Sequence, residues 1–152
     1  MTQETFDELL VVLLQIMQKG NHDDFTKQTA SGYIQDVILE NVQLMTPKNA
    51  KTTAQKVVQI FEQRTVQACL SMKDTLVQSY ASCLGLQFKV LREFPKTVQT
   101  IIKSVKSLNT GLMFIRCLFF FEISKHLPTS FLQEKETCQD FIPIIFVNRF
   151  NS

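Results

Sequence analysis

The chain has 152 residues, 45% apolar and 20% charged, with four glycines, four prolines and a formal net charge of +2. That is ordinary for one globular domain, long enough to bury roughly two thirds of its unfolded surface. So few Gly and Pro speak against a turn-rich β fold and for long helices. The charge is unevenly placed. Residues 1–45 hold seven acids and two lysines, a net −5; the remainder holds 14 bases and seven acids, a net +7. Such a split suits either two differently solvated faces or a basic surface for a partner. Met1 is followed by Thr, Gln and Glu, so no secretory leader is expected. The longest apolar cluster, 112–123, is too short for a membrane span and contains Arg116 and Glu122.

In chain order, Thr2 is a candidate N-cap for a helix over 3–19. Glu4, Asp7 and Glu8 suit the positive end of its dipole. Phe6, Leu9, Leu10, Leu13, Leu14, Ile16 and Met17 give it a broad apolar face, and Gly20-Asn21 closes it. Asp23 or Asp24 caps a second helix reaching Met45, with a stripe of Tyr33, Ile34, Val37, Ile38 and Val42. Ser31-Gly32 weakens its early turns. Thr46-Pro47 reads as N-cap and first position of a third helix. Its periodicity runs through Val57, Phe61, Val66 and Leu70, so a break is placed near 72–75, with Asp74 as cap. Leu76, Val77, Tyr80, Ala81, Leu84, Phe88 and Leu91 make the next helix, ending before Phe94-Pro95.

From 94 to 127 the pattern is that of an antiparallel pair. Pro95 opens a helix with Val98, Ile101, Ile102, Val105 and Leu108 on one side and lysines on the other. Asn109-Thr110-Gly111 stops it, and a helix apolar nearly all round follows, ending at Pro128. Such a helix is buried on several sides, so this pair is read as the centre of the fold. Thr129 or Ser130 caps a short helix through Thr137. The segment 141–147 is β-branched, aromatic and interrupted by Pro143, so 138–152 is expected to be an apolar, non-helical tail. A terminal repeat normally presents a polar outer face, so this tail is expected to meet a further repeat of a longer protein. The expected fold is all-α: about six or seven helices in antiparallel pairs, a HEAT/armadillo-like α-solenoid fragment, with 1–137 the helical-repeat domain.

Catalytic signatures are absent. No GxxxxGK[ST], GxGxxG, GxSxG or HExxH occurs. His22 lies in a polar turn, and His126 lies at a helix end where it complements the dipole. No metal or cofactor is expected. Cys69, Cys83, Cys117 and Cys138 lack CxxC spacing and are read as reduced thiols of an intracellular protein. Arg116 sits in the apolar helix and either pairs with Glu122, Asn109 or a neighbouring repeat's acid, or reaches the surface along its stem. The best surface candidate is the basic series Lys89, Arg92, Lys96, Lys103 and Lys106, interrupted only by Glu93. It suits an acidic protein segment, and a phosphate backbone is the other candidate. With no exposed aromatics between the bases, sequence-specific nucleic-acid readout is not supported.

Residues 95–127 resemble a HEAT-type unit: a helix opened by Pro, a polar turn, then an Arg-bearing buried helix. Asn109 stands where the unit usually has Asp, and its spacing to Arg116 is one residue long. Within that class, Thr2-Gln3-Glu4 with Leu9-Leu10, and 49–85 with its run Arg64-Thr65-Val66-Gln67-Ala68-Cys69, resemble the cohesin-associated HEAT proteins of the precocious-dissociation-of-sisters family. The resemblance covers about half the chain; the helix over 21–45 departs from it as an insertion. It implies a nuclear scaffold acting on chromosome cohesion, without catalysis. The expected function is therefore a non-enzymatic helical-repeat scaffold that binds protein partners inside the cell, in the nucleus or the cytoplasm, with the nucleus slightly favoured. The alternative is a compact helical-bundle adaptor or a regulator of cell death or signalling.

Overall fold

The computed structural model describes residues 1–127. They form seven α-helices and two 3-10 turns, with no strand among the described residues. The helices are α1 (Gln3–Gln18), α2 (Asp24–Glu40), α3 (Pro47–Glu62), α4 (Val66–Leu70), α5 (Asp74–Leu91), α6 (Pro95–Lys106) and α7 (Met113–Ser124). The expected short helix ending at Thr137, the tail over 138–152 and Cys138 lie outside the described residues.

Local hydrogen bonding explains the helix starts. Thr2 accepts from the Thr5 N–H, Asp23 from Thr26 and Thr65 from Ala68. Thr46 forms a reciprocal box with Asn49, whose amide also donates to Asp7 at 3.1 Å and to the Leu44 carbonyl at 3.0 Å. Gln3 reaches the same carbonyl at 2.8 Å. These bonds fasten the N-termini of α1 and α3 together, so the two run in the same direction.

Apart from the five-residue α4, the helices alternate between two layers. One layer holds α1, α3 and α6; the other holds α2, α5 and α7. Except for α2 and α3, each helix in this series packs on those one and two places along the chain. The hub is α5, which lies against α2, α3 and α7 and buries residues on all sides, from Leu76 and Tyr80 through Leu84 to Phe88 and Leu91. The centre of the fold is thus α5 rather than the 94–127 pair. Phe61 of α3 meets Tyr80 edge-on at 6.2 Å and Phe119 of α7 at 5.0 Å. Such pairs add about 0.5–1.5 kcal/mol each beyond area burial. The Tyr80 hydroxyl is inside the protein and donates to the Met17 carbonyl at 3.0 Å, satisfying an orphan acceptor at the end of α1.

Three expectations are corrected. α2 stops at Glu40, and a 3-10 turn at Val42–Leu44 leads to Thr46. Its buried face is Lys27, Ala30, Ser31, Ile34 and Ile38, while Tyr33 and Val42 are exposed. The reason is that α2 meets α5 through small and polar residues: Ser79 donates to the Ser31 hydroxyl at 2.8 Å, and Ser31 to the Ser79 carbonyl at 3.1 Å. The expected break before Asp74 is present, since α4 ends at Leu70 and α5 begins at Asp74 with Lys73 at the cap position, but a second, unexpected break falls at Gln63–Thr65, because Thr65 caps α4.

Gly85 and Gly32 are both helical but have opposite surroundings. A Cβ on Gly85 would lie 2.8 Å from the Glu122 carbonyl oxygen of α7, a backbone atom that cannot rotate away; around Gly32 nothing lies within 4 Å. Ala in place of Gly gains about 1 kcal/mol of helix propensity, whereas overpacking costs about 1–3 kcal/mol or more. Gly32→Ala is therefore expected to raise unfolding free energy by about 0.5–1 kcal/mol, and Gly85→Ala to lower it by at least about 1 kcal/mol. Urea unfolding of both variants checks this; a Gly85→Ala protein as stable as wild type would mean that α5 and α7 do not touch here.

Candidate functional site

The five sequence-selected bases lie at the end of α5 and along α6. Lys89 is in the last turn of α5, where its charge complements the helix C-terminus, and Arg92 is the C-cap residue. Arg92 approaches Glu93 at 3.6 Å, an ion pair exposed on both sides and of small worth. The backbone then turns through Phe94 into Pro95, the first residue of α6. Lys96 follows in its first turn, and Lys103 and Lys106 in its last.

The polarity of α6 sets where these lysines point. Val98, Ile101, Ile102 and Val105 are buried, which leaves Lys96 and Lys103 exposed and Lys106 half-buried. Seven residues make almost two full turns, so Lys96 and Lys103 share one side about 10 Å apart along the axis. Among the described residues, Lys89, Lys96, Lys103 and Lys106 have no carboxylate within ion-pairing distance. Phe94 is exposed between Arg92 and Lys96. The expectation that no aromatic is exposed among these bases is thereby corrected; one is.

The bases fall into two groups. Lys96 and Lys103 form a row on α6. Lys89 and Arg92 instead lie near enough to His126, beyond the end of α7, to act with Lys125 on its charge. This second group follows from the packing of α5 against α7 side by side and in the same direction. Gly85 touches the backbone at Glu122, so residues one turn further along each helix meet. Lys125 bonds Glu122 at 3.0 Å and sits 4.7 Å from the centre of the Phe121 ring. Burial and the nearby Lys89 hold the His126 imidazole below the ordinary histidine range, against which Glu122 is a weaker opposing influence. His126 therefore does not act as a charged complement to a helix dipole. Its contribution, and that of Lys125, to the basic region was not legible as a sequence pattern.

Other expected residues are accounted for as follows. Arg116 is 5% exposed, so it is a buried arginine and not a surface one. Glu122 bonds Lys125, and Asn109 accepts from the Gly111 N–H at 2.9 Å. Cys69 and Cys83 are buried free thiols, and Cys117 is buried. Burial raises the Cys69 thiol and pushes Cys83 up to about 12, far from reactive thiolate character. Among the described residues, no three of His, Cys, Asp and Glu converge as a metal site, and no single helix is long and apolar enough to cross a membrane. What the arrangement offers chemically is a field of fixed positive charge on a rigid helical face.

Two measurements check the geometry. The depressed imidazole binds its proton later than the unfolded chain does, so it favours unfolding as pH falls below about 6.5. Wild type is thus expected to lose stability relative to His126→Gln between about pH 6.5 and pH 5, and Lys89→Glu is expected to move the His126 NMR titration midpoint upward. An unmoved midpoint would separate Lys89 from His126. Separately, a maleimide should leave Cys83 unlabelled in the native protein and label it on unfolding; fast native labelling would contradict its burial.

No family model, no curated protein and no solved structure matches this chain.

Proposed function

We propose that this protein is a non-enzymatic helical-repeat scaffold that binds an acidic segment of a protein partner along the end of α5 and the outer side of α6. The observation that carries this reading is the set of exposed bases without carboxylate partners among the described residues, Lys96 and Lys103 in a row on α6 and Lys89 at the end of α5, with Arg92 in its weak pair. The two-layer alternation, in which helices pack on those one and two places away, supports the HEAT/armadillo-like part of the reading. In such an architecture one layer of helix faces remains available for partners while the other completes the core. The resemblance to cohesin-associated HEAT proteins supports a nuclear role in chromosome cohesion, with no cofactor and no catalysis.

Binding on this surface is electrostatic. Exposed charges act mainly on the rate of encounter and are screened over about 8 Å at physiological salt. The test is a titration of an Asp/Glu-rich peptide against the full chain by fluorescence anisotropy, at low and high salt. Reversing Arg92, Lys96 and Lys103 together to Glu is expected to weaken binding by about tenfold or more, with the melting temperature nearly unchanged because all three are exposed. Wild-type affinity that does not respond to salt would exclude the basic surface as the binding site.

A further inference from the structure

We infer that the open edge of the α1–α2 pair is a second docking surface, and that its occupant is a basic amphipathic helix of a protein partner. α1 packs on α3 and α2 packs on α5, so among the described residues the side of this first pair that faces away from both is uncovered. A cleft of about 280 Å³ runs between the two helices there, lined by Leu13, Ile16, Phe25, Thr29 and Tyr33. Phe25 is 80% exposed and Tyr33 58%, large aromatic surfaces on helix positions that the core does not use. Val12, also exposed, lies one turn before Ile16 on α1. Contiguous apolar surface of this kind marks an interaction site more often than scattered exposed leucines do.

The charges around the cleft choose the occupant. Asp36 and Glu40 are exposed and follow Tyr33 at three- and seven-residue spacing, so they continue the Phe25–Thr29–Tyr33 side of α2. α1 and α2 are joined by a tight turn about Gly20 and Asn21, and their antiparallel pairing brings Glu4 and Glu8 to the level of Asp36 and Glu40. At the other end stand Asp23 and Asp24. The Asp23 carboxyl is held below its usual range by hydrogen bonds from Thr26 and keeps its charge. The surface is thus apolar in the middle and acidic at the Asp36–Glu40 end, while at the other end Asp23 and Asp24 stand with Lys19 and Lys27. From Phe25 to Glu40 it spans about 22 Å, the length of four helical turns. A helix with an apolar stripe and Lys or Arg toward the end that meets Asp36 and Glu40 matches it in length, polarity and sign. A second copy of this chain does not: its basic helix α6 already buries its apolar stripe of Val98, Ile101, Ile102 and Val105. An anionic membrane surface is repelled by the same acids.

The probe is an 18-residue peptide of Leu and Lys with helical apolar period, fluorescently labelled and titrated into the full chain; the control replaces every Lys by Glu. The Lys peptide is expected to bind at least about tenfold more tightly than the Glu peptide, and less tightly as salt rises. Phe25→Ser with Tyr33→Ser should weaken it by about tenfold or more without changing the melting temperature, since both side chains point to solvent. Asp36→Lys with Glu40→Lys should weaken it several-fold and reduce the salt response. Equal binding of the two peptides, or affinity unmoved by the Phe25/Tyr33 double variant, overturns the inference. So does concentration-dependent self-association in sedimentation that this double variant abolishes, because the occupant would then be a second copy.

Discussion

The approach of α7 to α5 at Gly85 is the contact on which the rest of this structure depends. With no Cβ, Gly85 lets the Glu122 backbone come within 2.8 Å of where that atom would be. Two helices this close exclude water along their seam and bring the side chains on either side into full contact. Phe119 then reaches the edge of the Phe61 ring, and Phe61 in turn meets Tyr80. Three helices from both layers are therefore tied by one aromatic cluster whose geometry follows from the absence of a methyl group. The same approach fixes the relative heights of α5 and α7. Lys89 and Arg92 come within electrostatic reach of His126 for that reason, and no local preference of either segment would have put them there.

The hub position of α5 has a cost that the chain accommodates. A helix packed against three others leaves little solvent face for its polar residues, and α5 holds Gln87 and the Tyr80 hydroxyl buried and Ser79 half-buried. Ser79 is absorbed by its exchange with Ser31 and by the Gln35 amide at 3.3 Å. Tyr80 is satisfied by Met17. Gln87 donates to its own helix at Cys83, 2.8 Å away, but its amide oxygen is buried without a partner. An unmet buried acceptor costs about 1–3 kcal/mol. The three cases follow one rule: polar groups of the hub are tolerated where a neighbouring helix end or hydroxyl lies opposite, and are a burden elsewhere. Polar contacts also specify partners that apolar ones do not. The Ser31–Ser79 pair accepts only a close, in-register approach of α2, which helps to choose one packing among many available to apolar stripes.

How much of this was legible in the sequence depended on whether the determining interaction was local. Thr2, Asp23, Thr46-Pro47 and Pro95 mark helix starts correctly because a cap is a hydrogen bond or a fixed φ within one turn. The faces of α1 and α6 are legible because each buries one broad apolar stripe. α2 misleads because its buried face is built from Lys27, Ala30, Ser31, Ile34 and Ile38, three of them small or polar, while Tyr33 and Phe25 face solvent. Periodicity rewards the residues a helix could bury, not those it does. The break at Gln63–Thr65 was obscured by Val66 and Cys69, which prolong the apolar rhythm of α3 across a real helix end. As for the candidate surface, the five bases were legible as a cluster of charge. Their division into a row on α6 and a group around His126 was not, because it is set by the α5–α7 seam.

The acidic N-terminal pair and the basic α5–α6 region stand at different places along the same layered stack. Among the described residues, the acids Asp36 and Glu40 of α2 and the lysines Lys96 and Lys103 of α6 belong to helices of different layers. Each surface presents its own sign to an approaching partner. The two surfaces then differ in more than sign. On α6 the bases stand on a helix whose apolar side is fully engaged, so charge alone is on offer and binding should be quick to form and sensitive to salt. At the α1–α2 edge, charge frames an uncovered apolar cleft, so a partner gains desolvation as well as attraction and is released more slowly.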